Sequence, residues 1–389
     1  MLVAVCIFAA IKYLSVPKLP VYGNQTLYEW TARYQRARMD HSGPPAWKEV
    51  ETSKKAIQAI GVKALPFAMA DVERGLTTTD KIKEWLGAHV VLLHIKQQNF
   101  EPQHQRGISM LQALGPIAEP CLPDLAADAR KGNVEYALMA IGPAALPAFT
   151  NLLPGITGLE TGFFIDALAN SVDEGRISPE EAAVAIPSLV SVFHGTDIFG
   201  RSCAAQAFGA IHQHPEICIP LLLQGMADNN SSVSCSSIRA LGQFGGFAGP
   251  YADKIAAAFG NANSRVRSDV CWALLELRAR RDVAIPVFIR GLDDKNFGVR
   301  TDAAVCLGIA RGLPKLSIPA LTGVLRDPDA RVRKAAAQSI GLFRGQASNA
   351  IPALRACFTD TQVSNAAWTA VGCITGEIPP PHCEPEDAP

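Results

Sequence analysis

The chain carries 10 cysteines, yet it has no CxxC pair and no short Cys/His cluster of the kind that a zinc site requires. A structural zinc site draws four N/S ligands from such spacings, so that class has no support here. A Gly-rich phosphate loop, a Gly-x-Ser-x-Gly elbow, an HExxH helix and a His-Glu dipeptide are all missing, and with them the motif-borne routes to nucleotide, hydrolase and metalloprotease chemistry. An excess of charge of one sign is missing too: Lys+Arg and Asp+Glu number 36 each. A surface for a phosphate backbone is expected to carry a basic stripe, so nucleic acid is not expected as a partner. Charged residues make up 19% of the chain, below the roughly 25% of ordinary soluble domains, while the 48% that are apolar suffice for a continuous core. Strand-like alternation is absent. The segments between Gly and Pro carry apolar residues at i, i+3, i+4 and i+7, the spacing of one helix face.

What is present is a period. Pro187, Pro220, Asp253, Pro286, Pro319 and Pro352 stand 33 residues apart, most of them heading an apolar segment such as Ile318-Pro319-Ala320-Leu321. Val233, Val266, Val299 and Val332 keep the same spacing, with Arg267, Arg300 and Arg333 directly behind three of them. Gly209, Gly242, Gly308 and Gly341 each lie eleven residues before the next Pro position. Self-similarity at this period means stacked supersecondary units. In each unit a helix headed by Ile-Pro, as in Ile318–Leu325 with Pro319 in its first turn, is joined by a short turn to a second amphipathic helix, as in Asp329–Gly341. The predicted fold class is all-α, an α-solenoid (superhelix) of about nine or ten helical hairpins.

The pattern Ile285-Pro286…Asp294…Val299-Arg300…Ala303…Gly308, repeated as Ile318-Pro319…Asp327…Val332-Arg333…Ala336…Gly341, resembles the HEAT repeat, above all the compact variety of the phycobilin lyases. It recurs with less fidelity at 186–209, 219–242 and 252–275. Ankyrin and tetratricopeptide signatures are absent. The resemblance implies a structural ladder of Asp294, Arg300, Asp327, Arg333 and Arg267, with each Asp at a hairpin turn and each Arg at the start of the following helix. Asn261 keeps half of that pair beside Arg267, and Asp228 faces Ser234, so the ladder is expected to weaken toward the middle.

The organisation follows from these patterns. Residues 1–16, an uncharged run broken by Lys12, are read as a membrane anchor or signal segment; eleven residues are too few to span a bilayer, which takes about 20. A first core helix is the alternative. Residues 17–50 form a linker and N-terminal cap; Tyr22–Trp30 resembles the segment after the anchor in bacterial membrane-anchored HEAT-repeat proteins, and Leu27, Trp30 and Tyr34 are suited to covering the open end of a stack. Residues 51–185 are irregular repeats: Ala59–Pro66 and Ala140–Pro147 match one another, Thr79–Lys96 reads as one longer helix, and Ser178-Pro179-Glu180-Glu181 is a capping box. Residues 186–375 are the regular 33-residue repeats, and 376–389 a disordered tail with Pro379-Pro380-Pro381.

In function the resemblance implies a non-catalytic protein-binding scaffold. With the second helix of each hairpin on the concave side, the outward positions lie one and five residues after the Arg column: Ser202 and Gln206, Cys235 and Arg239, Ser268 and Trp272, Thr301 and Val305, Lys334 and Gln338. Trp272, Arg239, Gln206, Val305 and Gln338 are the candidate binding residues, and the groove is neutral, which suits a protein or peptide partner. The same Trp is also placed to pack on Arg239 or Val305 of adjoining repeats. A lyase-like protein or carrier holding a tetrapyrrole or other flat ligand is the alternative, and the visible absorbance of purified protein discriminates the two. No cofactor is expected; His212, His214, Glu216 and Cys218 cluster around Pro215 but share no face. Cys203, Cys235, Cys271 and Cys306 are expected as buried thiols, and the sequence leaves a disulfide among Cys357, Cys373 and Cys383 open.

Overall fold

The computed structural model describes residues 18–40, 43–73, 103–128, 135–156, 159–278 and 280–377. The anchor segment, the helix expected over Thr79–Lys96, Cys383 and the tail from Ile378 lie outside them. By compactness the chain divides into two units, Met1–Ser188 and Leu189–Pro389.

The first unit opens on a feature that the sequence reading does not contain. Val21–Tyr22 pairs antiparallel with Gln25–Thr26 across a turn at Gly23 and Asn24. Two residues per strand are too few for alternation to register. The hairpin hands the chain to the helix Leu27–Met39, where Thr26 and Glu29 form a reciprocal capping box. Trp30 donates its indole N–H to the Tyr22 carbonyl at 2.9 Å, and Leu27, Trp30 and Tyr34 are buried. The helices Pro44–Ile60, Leu65–Glu73, Gln103–Leu114 and Leu159–Asp173 follow, with short 3₁₀ turns such as Gly61–Ala64 and Gly115–Cys121 between some elements. Ser178 and Glu181 cap the short helix Pro179–Ala182 reciprocally.

The second unit is regular. Its second helices are Ile198–Ile211, Ser231–Gln243, Ser264–Glu276, Phe297–Ala310, Ala330–Leu342 and Ser364–Thr375. Asp or Asn caps five of them through its side chain: Asp197, Asn230, Asn263, Asn296 and Asp329. Between them run the first helices, among them Pro215–Met226, Arg281–Gly291 and Pro314–Gly323.

The proline column departs from the expected first-turn placement. Pro220, Pro286 and Pro319 lie inside these helices, because a turn of helix beginning at Pro215, Arg281 and Pro314 precedes the Ile-Pro pair. Each interior proline forgoes one helical N–H bond. Pro352, by contrast, stands in the first turn of Ile351–Ala356.

The core is built from the apolar face of each second helix, with Val233, Val266, Val299 and Val332 all buried. The column glycines set the helix spacing. A Cβ on Gly209, Gly242 or Gly341 would stand 2.9–3.0 Å from the Cα of Ala240, Ala273 or Ala370 in the next second helix, and one on Gly308 would stand 2.8 Å from the Cα of Ser339.

Candidate functional site

The Arg column and the turn aspartates meet across repeats. Arg300 donates from Nε and Nη2 to the two carboxylate oxygens of Asp327 at 2.7 and 2.9 Å, while its Nη1 donates to the carbonyl of Asp294 at 2.9 Å. Arg267 does the same with Asp294 (2.6 and 2.7 Å) and the Asn261 carbonyl (2.9 Å). Arg333 reaches Asp360 Oδ2 at 2.7 and 2.9 Å and the Asp327 carbonyl at 2.8 Å. Each guanidinium therefore takes a carbonyl from its own hairpin turn and a carboxylate from the next. The carboxylates take one more donor each: Oδ1 of Asp294 and of Asp327, already on the guanidinium, also accepts the backbone N–H of Asn296 and Asp329, both at 2.8 Å. Burial works against the charge on Asp294 and Asp327, but the guanidinium and the N–H outweigh it and hold both carboxyls below the usual aspartate value. At Asp360 the Arg333 hydrogen bonds dominate, with the same direction.

This geometry corrects the expected pairing in the middle of the stack. Asp228 does not answer Ser234; it pairs with Arg201, one repeat earlier. Ser234 turns its hydroxyl to the Met226 carbonyl at 2.8 Å, so the gap lies between the Ser234 and Asn261 turns.

The outward rows also separate. Ser202 and Cys235 are buried, not exposed as expected, and Ser268 and Thr301 are half-buried. Lys334 alone in that row is exposed as expected; a residue one step beyond the Arg column is rotated by about 100°, which lets a small one meet the neighbouring second helix. There Ser202 bonds Ser236 at 2.9 Å, and Ser268 donates to Asp302. Burial, then the hydrogen bond to Asp269, pushes the Cys235 thiol up to about 12. Burial alone leads in Cys271, also pushed up to about 12. These thiols are packing groups with no thiolate character.

Five residues beyond the Arg column, Gln206, Arg239 and Gln338 are exposed and Trp272 and Val305 half-buried. Gln206 donates to Ser236 at 3.0 Å, and Arg239 meets Asp269 at 3.3 Å. Asp269 is mostly buried, and one of its oxygens has no hydrogen-bond partner; burial raises its pKa.

The cluster around Pro215 is an ordinary connection: His214 meets Glu216 at 3.0 Å on the surface, while Cys218 is fully buried. No group of three or more Cys, His, Asp or Glu among the described residues is placed to hold a metal ion. In the first unit sequence reasoning misses a pair with no repeat to announce it: Arg106 binds Asp71 through two bonds of 2.7 and 2.9 Å and lies over the Tyr28 ring at 3.8 Å.

Against known families, residues 303–374 match HEAT repeats. That segment is made of HEAT repeats. The fold of the chain is that of stacked HEAT hairpins, and it is similar to the karyopherin Kap121p bound to the extreme C-terminus of the protein phosphatase Cdc14p. That likeness has 12% identity and a TM-score of 0.50, and covers 89% of this chain and 38% of the karyopherin. Further matches are the CpcE and CpcF complex of phycocyanin lyase from Nostoc sp. PCC7120 (18% identity, TM-score 0.36, 61% of this chain and 94% of that one) and human deoxyhypusine hydroxylase (18%, 0.29, 66% and 97%). No curated protein matches the sequence. At these identities the likeness is one of fold and transfers no activity.

Proposed function

We propose that this HEAT-repeat protein is a non-catalytic scaffold that binds a protein or peptide segment along the second-helix row Gln206, Arg239, Trp272, Val305 and Gln338. The observation that carries this reading is the outward placement of one residue per repeat through five successive repeats, on helices otherwise packed by small side chains. The equal charge totals favour a protein segment over a phosphate backbone. The karyopherin of similar fold is bound to the C-terminus of another protein, which is the kind of occupant proposed here. Trp272 is the expected anchor, since a half-buried Trp in a row of small and polar residues offers the largest area to a partner.

A photo-cross-linking side chain placed at Gln206 or Gln338 in the native host identifies the partner. Trp272→Ala then tests the anchor. Partner affinity should fall by a factor corresponding to about 2 kcal/mol, with the melting temperature little changed. A large fall in melting temperature with affinity intact in the folded fraction overturns the anchor and assigns Trp272 to packing. Membrane attachment through residues 1–16 is a separate proposal, motivated by their uncharged run; no helix among the described residues is long and apolar enough to cross a membrane. Fractionation of the full chain against one beginning at Tyr22 tests it.

A further inference from the structure

In the second unit the ladder joins the amino-terminal ends of neighbouring second helices, and the glycine contacts join their last turns. These helices therefore run side by side, and their two ends form two different edges. On the amino-terminal edge Asp294, Asp327 and Asp360 are each met by a guanidinium. On the carboxy-terminal edge the chain crosses to the next first helix through connections one period apart, 212–217, 245–250, 278–283, 311–316 and 344–349. Each begins in the left-handed region, at His212, Gly245, Arg278, Arg311 and Arg344. The last three connections hold Arg278, Arg280, Arg281, Arg311, Lys315 and Arg344 against one carboxylate, Asp282. The equal charge totals of the chain conceal this sorting of cations to one edge.

Arg280 is paired, with Asp253 and Asp282 at 3.3 and 3.2 Å. The side chains of Arg278, Arg281, Arg311 and Lys315 are exposed and meet no hydrogen-bonding or ionic partner among the described residues. A cation beside a helix carboxy-terminus complements the helix dipole, which suffices for Arg278 and Arg311. It does not account for Leu313 and Leu316, which flank Lys315 and are 46% and 56% exposed. Leu313 has φ +45°, a region that a branched side chain enters at a cost and glycine enters freely. Two periods earlier Phe247 holds the same register and is 67% exposed. Large apolar side chains thus stand among unpaired cations at the tips of one edge.

We infer that this edge docks on an anionic lipid surface, with Arg278, Arg281, Arg311 and Lys315 on the headgroup phosphates and Leu313 and Leu316 entering the boundary with the acyl chains. Charge complementarity sets the sign of the occupant, and the leucines decide among anionic ones. A nucleic-acid backbone offers nothing apolar to Leu313, and an acidic peptide is charged where it would have to be apolar. A bilayer presents phosphate outside and hydrocarbon beneath, and a tip that carries both cations and leucines answers both layers. Neighbouring second helices lie about 8–10 Å apart, so three connections spread the cations along a line wider than a single headgroup. The inference is independent of the row from Gln206 to Gln338, which lies on helix faces, and of residues 1–16.

Co-sedimentation of the full chain with vesicles of phosphatidylcholine, with and without phosphatidylserine, tests this. Residues 1–16 are the same in every chain compared, so differences between chains read the edge. A cation held near an anionic surface contributes about fivefold to partition, so wild type should prefer the phosphatidylserine vesicles by about tenfold or more at low salt. Arg278→Gln, Arg281→Gln, Arg311→Gln and Lys315→Gln together should bring that preference close to one. Removing four lysines elsewhere, by Lys48→Gln, Lys54→Gln, Lys63→Gln and Lys295→Gln, should leave it in place. Leu313→Gly should cut partition several-fold at an unchanged or higher melting temperature, because glycine relieves the left-handed backbone. No preference in wild type overturns the proposal, as does a preference that survives the edge substitutions or is lost equally in the lysine control. Unchanged partition in Leu313→Gly overturns it too. Binding of polyglutamate or duplex DNA without binding of the anionic vesicles also overturns it, and assigns the edge to an acidic segment or a phosphate backbone.

Discussion

Arg300 and Asp327 stand 27 residues apart and meet through two hydrogen bonds of 2.7 and 2.9 Å, with their side chains only 13% and 6% exposed. The same guanidinium holds the carbonyl of Asp294, whose carboxylate belongs to Arg267. Each rung thus ties two consecutive turns together, and successive rungs share a turn. Arg300→Ala removes one rung and leaves Asp327 short of its donors, which should cost about 1–3 kcal/mol of stability. Arg300→Lys should recover only part of this, since an ammonium cannot supply the fork. Denaturant melts measure both. A variant that melts like wild type but loses its partner would move Arg300 from the scaffold to the binding surface.

The ladder has a pH signature. Asp294, Asp327 and Asp360 have folded pKa values below the ordinary one, so their contribution is complete above the unfolded aspartate value of about 3.9 and is lost as pH falls through the lowered values. Melting temperature should be level across neutral pH and drop on acidification below about pH 4. In Asp327→Asn the drop should be shallower, because part of the acid-labile term is already gone.

Asp269 predicts the opposite sign. Its carboxyl is raised, first by burial, and one oxygen has no hydrogen-bond partner. A raised carboxyl destabilises the fold while it is charged and ceases to do so as pH falls through its folded value. Asp269→Asn should therefore be at least as stable as wild type at pH 7, with the difference closing on acidification. A clear loss of stability at pH 7 would show that the Arg239 pair outweighs the burial cost.

The regular half of this fold is legible because its spacing is constant: the Val-Arg and Gly columns fall on the second helices as counted. What the spacing hides is direction. Asp294 is six residues before Arg300 and Asp327 is 27 after it, and counting alone does not say that the carboxylate comes from the second and the carbonyl from the first. The outward rows were half legible, since Ser202 and Cys235 are small enough to turn inward, whereas Gln206 and Arg239 are not. The last described repeat is shorter by two residues, so a count of 33 aligns Trp368 with Ala335, although Ala370 takes against Gly341 the place that Ser339 takes against Gly308. In the first unit, Asp71 and Arg106 belong to helices with no common period, so their pairing left no trace in the sequence.

The glycine column separates packing from helix propensity. A Cβ on Gly308 would lie 2.5–2.8 Å from the Oγ, Cβ and Cα of Ser339. The Oγ can rotate away but the Cα cannot, so the two second helices must part. Gly323, at the end of a first helix, has nothing within 4 Å of such a Cβ and a helical conformation. Gly308→Ala should cost about 1–3 kcal/mol through overpacking, whereas Gly323→Ala should gain up to about 1 kcal/mol from propensity alone. Equal effects would mean that the stack adjusts its spacing freely. At position 275 the period places Leu275, half-buried, instead of glycine; Leu275→Gly should then destabilise, through lost apolar burial and the low helix propensity of glycine. Opposite signs for adding a methyl at 308 and at 323 would show that the Gly308 interface has a fixed separation.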